Sequence, residues 1–134
     1  MKKFWFAFAS LTLASLLMAA VSEAELEKKM KMAGDGMGGI RKGMQASDMK
    51  AVAAAGKMVV EGLEGTESFW SARHAEDGVK YTKEGLAAAK ELVSAAEAGH
   101  ADHAKAAAAK VGGSCKGCHD AHREKLPDGK YKIK

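Results

Sequence analysis

The most constraining feature of this 134-residue sequence lies near its end, where Cys115-Lys116-Gly117-Cys118-His119 contains both of its cysteines. The spacing C-x-x-C-H is typical of c-type haem attachment. Each thiol can form a thioether with a haem vinyl group, and the adjacent imidazole can bind the iron from one side. On a helix, residues three and four apart share a face, so these groups can point at one porphyrin edge. The motif therefore predicts one covalently bound haem c with its iron, attached by Cys115 and Cys118 and ligated by His119.

Other chemistries use the same residue types. A redox-active C-x-x-C pair of the thioredoxin type is expected beside a βαβ pattern, and the sequence has none. A structural zinc site would need a fourth ligand in addition to Cys115, Cys118 and His119. A plain disulfide in an exported protein would leave His119 without a role. Zinc binding and a disulfide remain alternatives, but haem attachment accounts for all three residues.

The N-terminus has the pattern of an export signal. Lys2 and Lys3 precede a largely apolar run over residues 4–21. A basic start, an apolar centre and small residues at the exit are typical of a secretory signal peptide. Ser22 and Ala24 are small residues at the positions that a signal peptidase inspects, so we expect a signal peptide over residues 1–24 and one domain over residues 25–134. The apolar run is borderline in length for spanning a bilayer, which makes a retained anchor the alternative.

Export agrees with the haem motif, because c-type haem is attached outside the cytoplasm. The sequence therefore predicts a periplasmic protein without stable membrane association after cleavage. The formal charge is +4, and no basic stripe is interleaved with aromatic residues, so we expect no nucleic-acid partner. No paired carboxylates, nucleophile with a base, or glycine-rich phosphate loop is present, and we do not expect an enzyme.

Apolar periodicity predicts an all-α fold. The only proline is Pro127, and strand-forming residues are sparse. In the first helix, from about residue 25 to 44, apolar residues recur at alternating steps of four and three: Leu26, Met30, Ala33, Met37, Ile40 and Met44. Ser47 or Asp48 is expected to cap a second helix that ends by Gly62 or Gly65. Four such helices with short connections predict a four-helix bundle.

The rest of the chain is assigned in the same way. Residues 65–78 form a connection in which Phe69 and Trp70 cap one end of the core. A third helix begins near residue 79 and closes at Gly99, and Asp102 caps the fourth helix, which runs into the haem motif. A turn at residues 127–129 ends it, and the basic tail over residues 130–134 is expected to be solvated and frayed.

The first helix also contains several glycines. Each glycine costs about 1 kcal/mol relative to alanine in a helix interior. We therefore expect something large and flat, such as a haem face, to approach the backbone at these positions. The alternative is that the helix breaks near Gly38-Gly39. The glycines are Gly34, Gly36, Gly38, Gly39 and Gly43.

Two segments carry a resemblance to a known family. At the C-terminal end, the run from Cys115 to Asp120 is followed by Arg123. At the N-terminal end, Met30-Lys31 is followed by Gly34 and Met37. Together they resemble the cytochrome c-prime family, and most closely its low-spin members. The resemblance covers nearly all of residues 25–125.

This resemblance implies a fold and a set of site residues. It implies an antiparallel up-down-up-down four-helix bundle with covalently bound haem. It also implies that Met30 is the sixth iron ligand and that Arg123 lies near the proximal imidazole of His119. The chain departs from the family pattern in three places. Leu26 stands where an arginine is frequent, His122 stands where an aromatic residue is common, and residues 65–68 replace the usual proline-bearing loop between the second and third helices.

The sixth ligand decides the expected function. Iron bound by both His119 and Met30 suits a one-electron carrier that exchanges electrons with redox partner proteins, because little geometry changes between oxidation states. An open sixth position would instead suit a high-spin cytochrome c-prime that binds nitric oxide or carbon monoxide. Met30 would then be an ordinary core methionine.

Further alternatives concern other ligands and another class of protein. His74 is a rival sixth ligand, whereas His100 and His103 follow Gly99 and are expected at the surface. The methionine-rich first helix could also indicate a periplasmic copper-binding protein, since thioether sulfur suits Cu(I). Against copper binding, these methionines follow the core seam. A monomer and a homodimer both remain open.

Overall fold

The computed structural model describes residues 19–134, so most of the expected signal peptide lies outside the described residues. In this part of the chain there are five helices and two short strands. They are α1 (Glu23–Gln45), α2 (Met49–Leu63), α3 (Glu67–Ser71), α4 (Glu76–Glu97), α5 (Ala101–His122), β1 (Arg123–Lys125) and β2 (Tyr131–Ile133). None of the helices over residues 19–134 is both long and apolar enough to cross a membrane.

The four long helices form the predicted bundle. Helix α1 packs along α2, α4 packs along α5, and α2 also packs against α4. Short connections between successive long helices are typical of antiparallel neighbours. The short helix α3 lies in the connection between α2 and α4. Helices α1 and α5 contact each other much less than these pairs do.

Side-chain caps fix where two of the helices begin. The Ser22 hydroxyl accepts a hydrogen bond from the Glu25 N–H (3.2 Å), and the Glu25 carboxylate accepts one from the Ser22 N–H (2.8 Å), which makes a capping box for α1. Asp48 accepts from the Ala51 N–H at 2.9 Å and caps α2 as predicted. The prediction that Asp102 caps the last helix is wrong, because α5 begins at Ala101 and Asp102 lies in its first turn.

The core consists of two clusters. The larger cluster lies between the long helices around fully buried Val52, Val59, Leu92 and Val111. Partly buried methionines of α1 pack against it, as expected for residues on the core seam. The smaller cluster contains Leu26, Phe69 and Trp70, and it confirms that the two aromatic residues cap one end of the core.

The three glycines of α1 that face a neighbour all face α2 or its N-cap. A Cβ added at Gly36 would lie 2.8 Å from the carbonyl oxygen of Ala55 and 2.8 Å from Cγ2 of Val59. Gly34 and Gly38 have nothing within 4 Å of such a Cβ, and α1 continues through both without a break. Three glycines therefore permit close packing of α1 on α2: Gly36, Gly39 and Gly43. For these three, the expectation that a haem face approaches the backbone is wrong.

The C-terminal tail is an ordered hairpin, contrary to the expectation that it is frayed. Strands β1 and β2 pair antiparallel, with Arg123 opposite Ile133. The predicted turn over residues 127–129 joins the two strands and does not end the last helix as expected, because α5 already ends at His122. Gly129 has a φ of +85° in this turn. The N–H of Lys134 donates to the carbonyl of His122 at 3.0 Å, and Ile133 packs against the smaller core cluster. Burial of an apolar side chain thus holds a tail whose lysines alone would favour solvation.

Candidate functional site

An apolar cavity opens at one end of the bundle. It encloses about 120 Å³, and the free space including its open mouth is about 680 Å³. All four long helices, α3 and the hairpin contribute to its wall. The cavity lies beside the smaller core cluster, since Leu26 and Trp70 belong to both. The N-terminal part of α1 and the C-terminal part of α5 both contribute to its wall.

The α5 side of this cavity carries the whole C-x-x-C-H motif. Cys115, Cys118 and His119 all line it, and each is partly buried. Both cysteines are free thiols. Their i, i+3, i+4 spacing places them on one helical face, as expected. Two free thiols and an imidazole on one wall of an apolar cavity are the donor set that covalent haem requires, so these residues fit the predicted cofactor.

Burial sets the protonation of these groups in the chain without haem. It raises the pKa of Cys118 to about 11, and the negative charges of Asp77 and of an ionised Cys115 add to the shift. Burial also raises the pKa of Cys115. For His119, burial lowers the pKa, Arg123 lowers it further, and Asp120 opposes both. The imidazole is thereby favoured in its neutral form, which is the form that binds a metal.

Met30 lines the same cavity from α1. Its side chain is partly buried and packs against both core clusters. The other α1 residue on the wall is Leu26, which has no metal-binding atom. Met30 and the haem motif therefore line one cavity from two different helices, α1 and α5. The structure thus brings together the two residues that the sequence suggested as axial ligands, Met30 and His119.

Tyr81 is a cavity residue that the sequence did not identify as part of the site. Its ring lies against the backbone of Gly117, where an added Cβ would stand 2.5 Å from Cε1 of Tyr81. Position 117 of the motif therefore has to be glycine, or else the Tyr81 ring has to move. The glycine inside the motif was the available signal, but it does not identify the residue that packs on it.

His122 faces the cavity from the last turn of α5. Its ring packs on Trp70, with centroids 4.6 Å apart, and its Nε2 lies 3.0 Å from Oδ1 of Asp77. Desolvation raises the pKa of Asp77, but the attraction of His122 and the hydrogen bond from the Gly78 N–H lower it more. The position where the family commonly has an aromatic residue is thus filled by an aromatic imidazole stacked on Trp70.

Arg123 reaches the site from the hairpin. We expected it one helical turn beyond His119, but α5 ends at His122 and Arg123 adopts an extended conformation. Its guanidinium carbon lies 3.9 Å from the centroid of the Tyr131 ring, and the residue lines the cavity. Arg123 and His119 both line the cavity, and the charge of Arg123 lowers the pKa of that histidine. The expected helical position is wrong.

The rival histidines lie away from the cavity. His74 is exposed in the connection before α4 and does not line the cavity. His100 and His103 are exposed at the beginning of α5, with ring centroids 5.6 Å apart, which confirms them as surface residues. Within residues 19–134, no group of three or more histidine, cysteine, aspartate or glutamate residues is arranged to hold a metal ion.

Comparisons with known proteins agree with this geometry. Residues 61–123 match the sequence model of the cytochrome c′ family, and the matched segment contains the whole haem motif. A solved cytochrome c′ with ligand-controlled dimer dissociation aligns with a TM-score of 0.61 over 87% of this chain and 100% of its own, at 24% identity. The chain has the cytochrome c′ fold. A search of curated proteins gave no match.

The sequence match supports a relation to the cytochrome c′ family over residues 61–123, and the structural match shows the fold. The cofactor of that family is covalently attached haem c with its iron. The predicted four-helix bundle is confirmed by the fold, and the predicted haem c is the cofactor of the family that residues 61–123 match.

Proposed function

We propose that this chain is a periplasmic one-electron carrier with haem c attached to Cys115 and Cys118 and with His119 and Met30 as axial ligands. The observation that carries the proposal is the position of Met30 on the α1 wall of the cavity whose α5 wall holds the other three residues. A methionine thioether paired with histidine is a familiar axial ligand set of electron-transfer haem proteins.

The other side chains with ligand chemistry on the wall are less suited to the sixth position. His122 belongs to α5, like His119, and is held between Trp70 and Asp77. Tyr81, on α4, packs against Gly117 of α5. Neither residue lies on α1, which leaves Met30 as the candidate from the α1 wall.

The residues of the cavity have defined roles in this proposal. When bound, the haem iron supplies the one-electron chemistry. Leu26, Leu63 and Met30 make the surroundings apolar and exclude water, and a methionine ligand favours a raised reduction potential. Burial keeps His119 neutral and able to bind the metal. Two fixed ligands keep the geometry nearly constant between oxidation states, which suits rapid electron exchange.

The test is the visible spectrum of the wild-type holoprotein and of Met30→Ala. The ferric wild type should be low-spin with the weak far-red band of methionine-sulfur coordination. Met30→Ala should lose this band, have a lower midpoint potential and take up carbon monoxide. Met37→Ala is the matched control, because Met37 is also a partly buried α1 methionine packed on the core but does not line the cavity. It should keep the band.

A second function, binding of nitric oxide or carbon monoxide by a five-coordinate haem, is favoured by the apolar character of the cavity wall that α1 and α2 contribute. Leu26 and Leu63 would surround a small uncharged ligand without competing for the iron. The solved cytochrome c′ with ligand-controlled dimer dissociation suggests the accompanying measurement. A wild-type protein that is high-spin, takes up carbon monoxide readily and changes its sedimentation on doing so would establish this function, with Met30 crowding the open position.

A further inference from the structure

The positive charge of this protein is concentrated in the C-terminal hairpin. Residues 123–134 carry five basic side chains, Arg123 and four lysines, and two acidic ones, Glu124 and Asp128, giving a net charge of +3. Residues 25–122 have equal numbers of basic and acidic side chains. The whole net charge of the expected mature domain therefore lies in its last twelve residues.

The hairpin is held beside the mouth of the haem cavity. Arg123 and Ile133, which are opposite each other in the two strands, both line the cavity. The Lys134 N–H donates to the carbonyl of His122 and ties the end of β2 to the end of α5. Main-chain and apolar contacts thus hold the backbone of this basic segment beside the site.

Much of this charge is available to a partner. Lys132 lies 3.1 Å from Glu124, and Lys130 lies 3.8 Å from Asp128. Arg123, Lys125 and Lys134 have no carboxylate within 4.0 Å in the described part of the chain, and all three are exposed.

An aromatic side chain lies among these cations. The Tyr131 ring is 52% exposed and is held by the stacked guanidinium of Arg123. Tyrosine and arginine are residue types that are enriched at protein–protein interfaces.

We propose that the hairpin is the docking surface for a protein partner with an acidic surface. The proposal rests on the proposed electron-carrier function, because docking at the hairpin brings the partner to the residues that line the haem site. Charge complementarity carries the choice of an acidic protein, since it speeds encounter and favours one orientation over others. The rest of the domain, residues 25–122, carries no net side-chain charge.

The probe for this surface is poly-L-glutamate, added to the ¹⁵N-labelled holoprotein and followed by NMR. Chemical-shift changes should be confined to the hairpin and the residues at the cavity mouth, and they should weaken as salt is added. The double variant Lys125→Gln/Lys134→Gln should bind more weakly, by about fivefold for each contact removed at low salt. Both side chains are exposed, and the far-ultraviolet circular dichroism should remain that of the wild type.

The matched control is Lys50→Gln/Lys105→Gln, which removes the same charge at the opposite end of the bundle, near the beginnings of α2 and α5. This variant should bind poly-L-glutamate within twofold of the wild type. An equal loss in both double variants would overturn the proposal, because only net charge would then matter. Stronger binding to vesicles containing phosphatidylserine than to poly-L-glutamate would overturn it in favour of a membrane surface. These readouts measure binding alone, so a failure of Met30 ligation, seen in the spectrum, remains distinguishable from a failure of docking.

Discussion

Substitution of Gly36 by alanine should separate two explanations for the glycines of α1. If α2 is the neighbour that requires them, Gly36→Ala should destabilise the protein and leave the haem spectrum unchanged. The matched control is Gly34→Ala, two residues earlier in the same helix, where an added Cβ would meet nothing within 4 Å. Both changes have the same chemistry in the same helix.

The magnitude follows from the contacts of the added methyl group. Each substitution gains about 1 kcal/mol of helix propensity, and this gain cancels when the two variants are compared. Only at Gly36 would the new Cβ stand 2.8 Å from the carbonyl oxygen of Ala55 and from Cγ2 of Val59. Overpacking of this kind costs about 1–3 kcal/mol, so Gly36→Ala should be less stable than Gly34→Ala by that amount.

Urea unfolding of the two holoproteins, followed by far-ultraviolet circular dichroism, measures this difference. In thermal unfolding of the same proteins, a difference of 1 kcal/mol corresponds to a shift in Tm of about 4 °C for a domain of this size. Equal stabilities for the two variants would refute the packing argument. A changed visible spectrum in Gly36→Ala with unchanged stability would indicate that the glycine faces the cofactor after all.

Three further predictions concern charge, capping and protonation. Arg123→Ala should lower the midpoint potential in a redox titration, because a nearby positive charge disfavours the oxidised iron, whereas Arg123→Lys should change it little. In a chain that retains residues 22–24, Ser22→Ala should cost about 1 kcal/mol in urea unfolding, and the expected mature chain beginning at Glu25 should be less stable by at least as much because it lacks the cap. In the haem-free chain, the rate of iodoacetamide alkylation of Cys118, read by mass spectrometry, should rise with pH through about 11, because the raised pKa keeps the thiol protonated below that value. Denaturant should move this rise towards the ordinary cysteine pKa, and a rise already at that value in the folded chain would contradict the prediction.

The features that could be predicted from the sequence are those with local causes. The haem motif, the cap of α2 at Asp48 and the closing glycine at Gly99 each depend on a few neighbouring residues. The apolar seam of α1 could also be predicted, because its periodicity depends only on helix geometry. The position of Met30 on the cavity wall follows from that seam together with the resemblance to the family.

The features that could not be predicted depend on contacts between distant parts of the chain. The α1 glycines indicated a close neighbour but could not identify it as α2. The tail has alternating apolar residues at Tyr131 and Ile133, but a two-stranded hairpin is marginal on its own and forms here because Ile133 finds the smaller core cluster. The packing of Tyr81 on Gly117 likewise joins two helices whose register the sequence does not specify.

The most direct test of the central claim, covalent haem on Cys115 and Cys118, is a denaturing gel stained for haem. The protein should be produced in a host that matures c-type cytochromes, with the Cys115→Ala/Cys118→Ala variant beside it. We expect a coloured band at the size of the mature wild-type chain and none for the variant. A colourless wild-type band would contradict the account and would return zinc binding or a disulfide as the role of the motif.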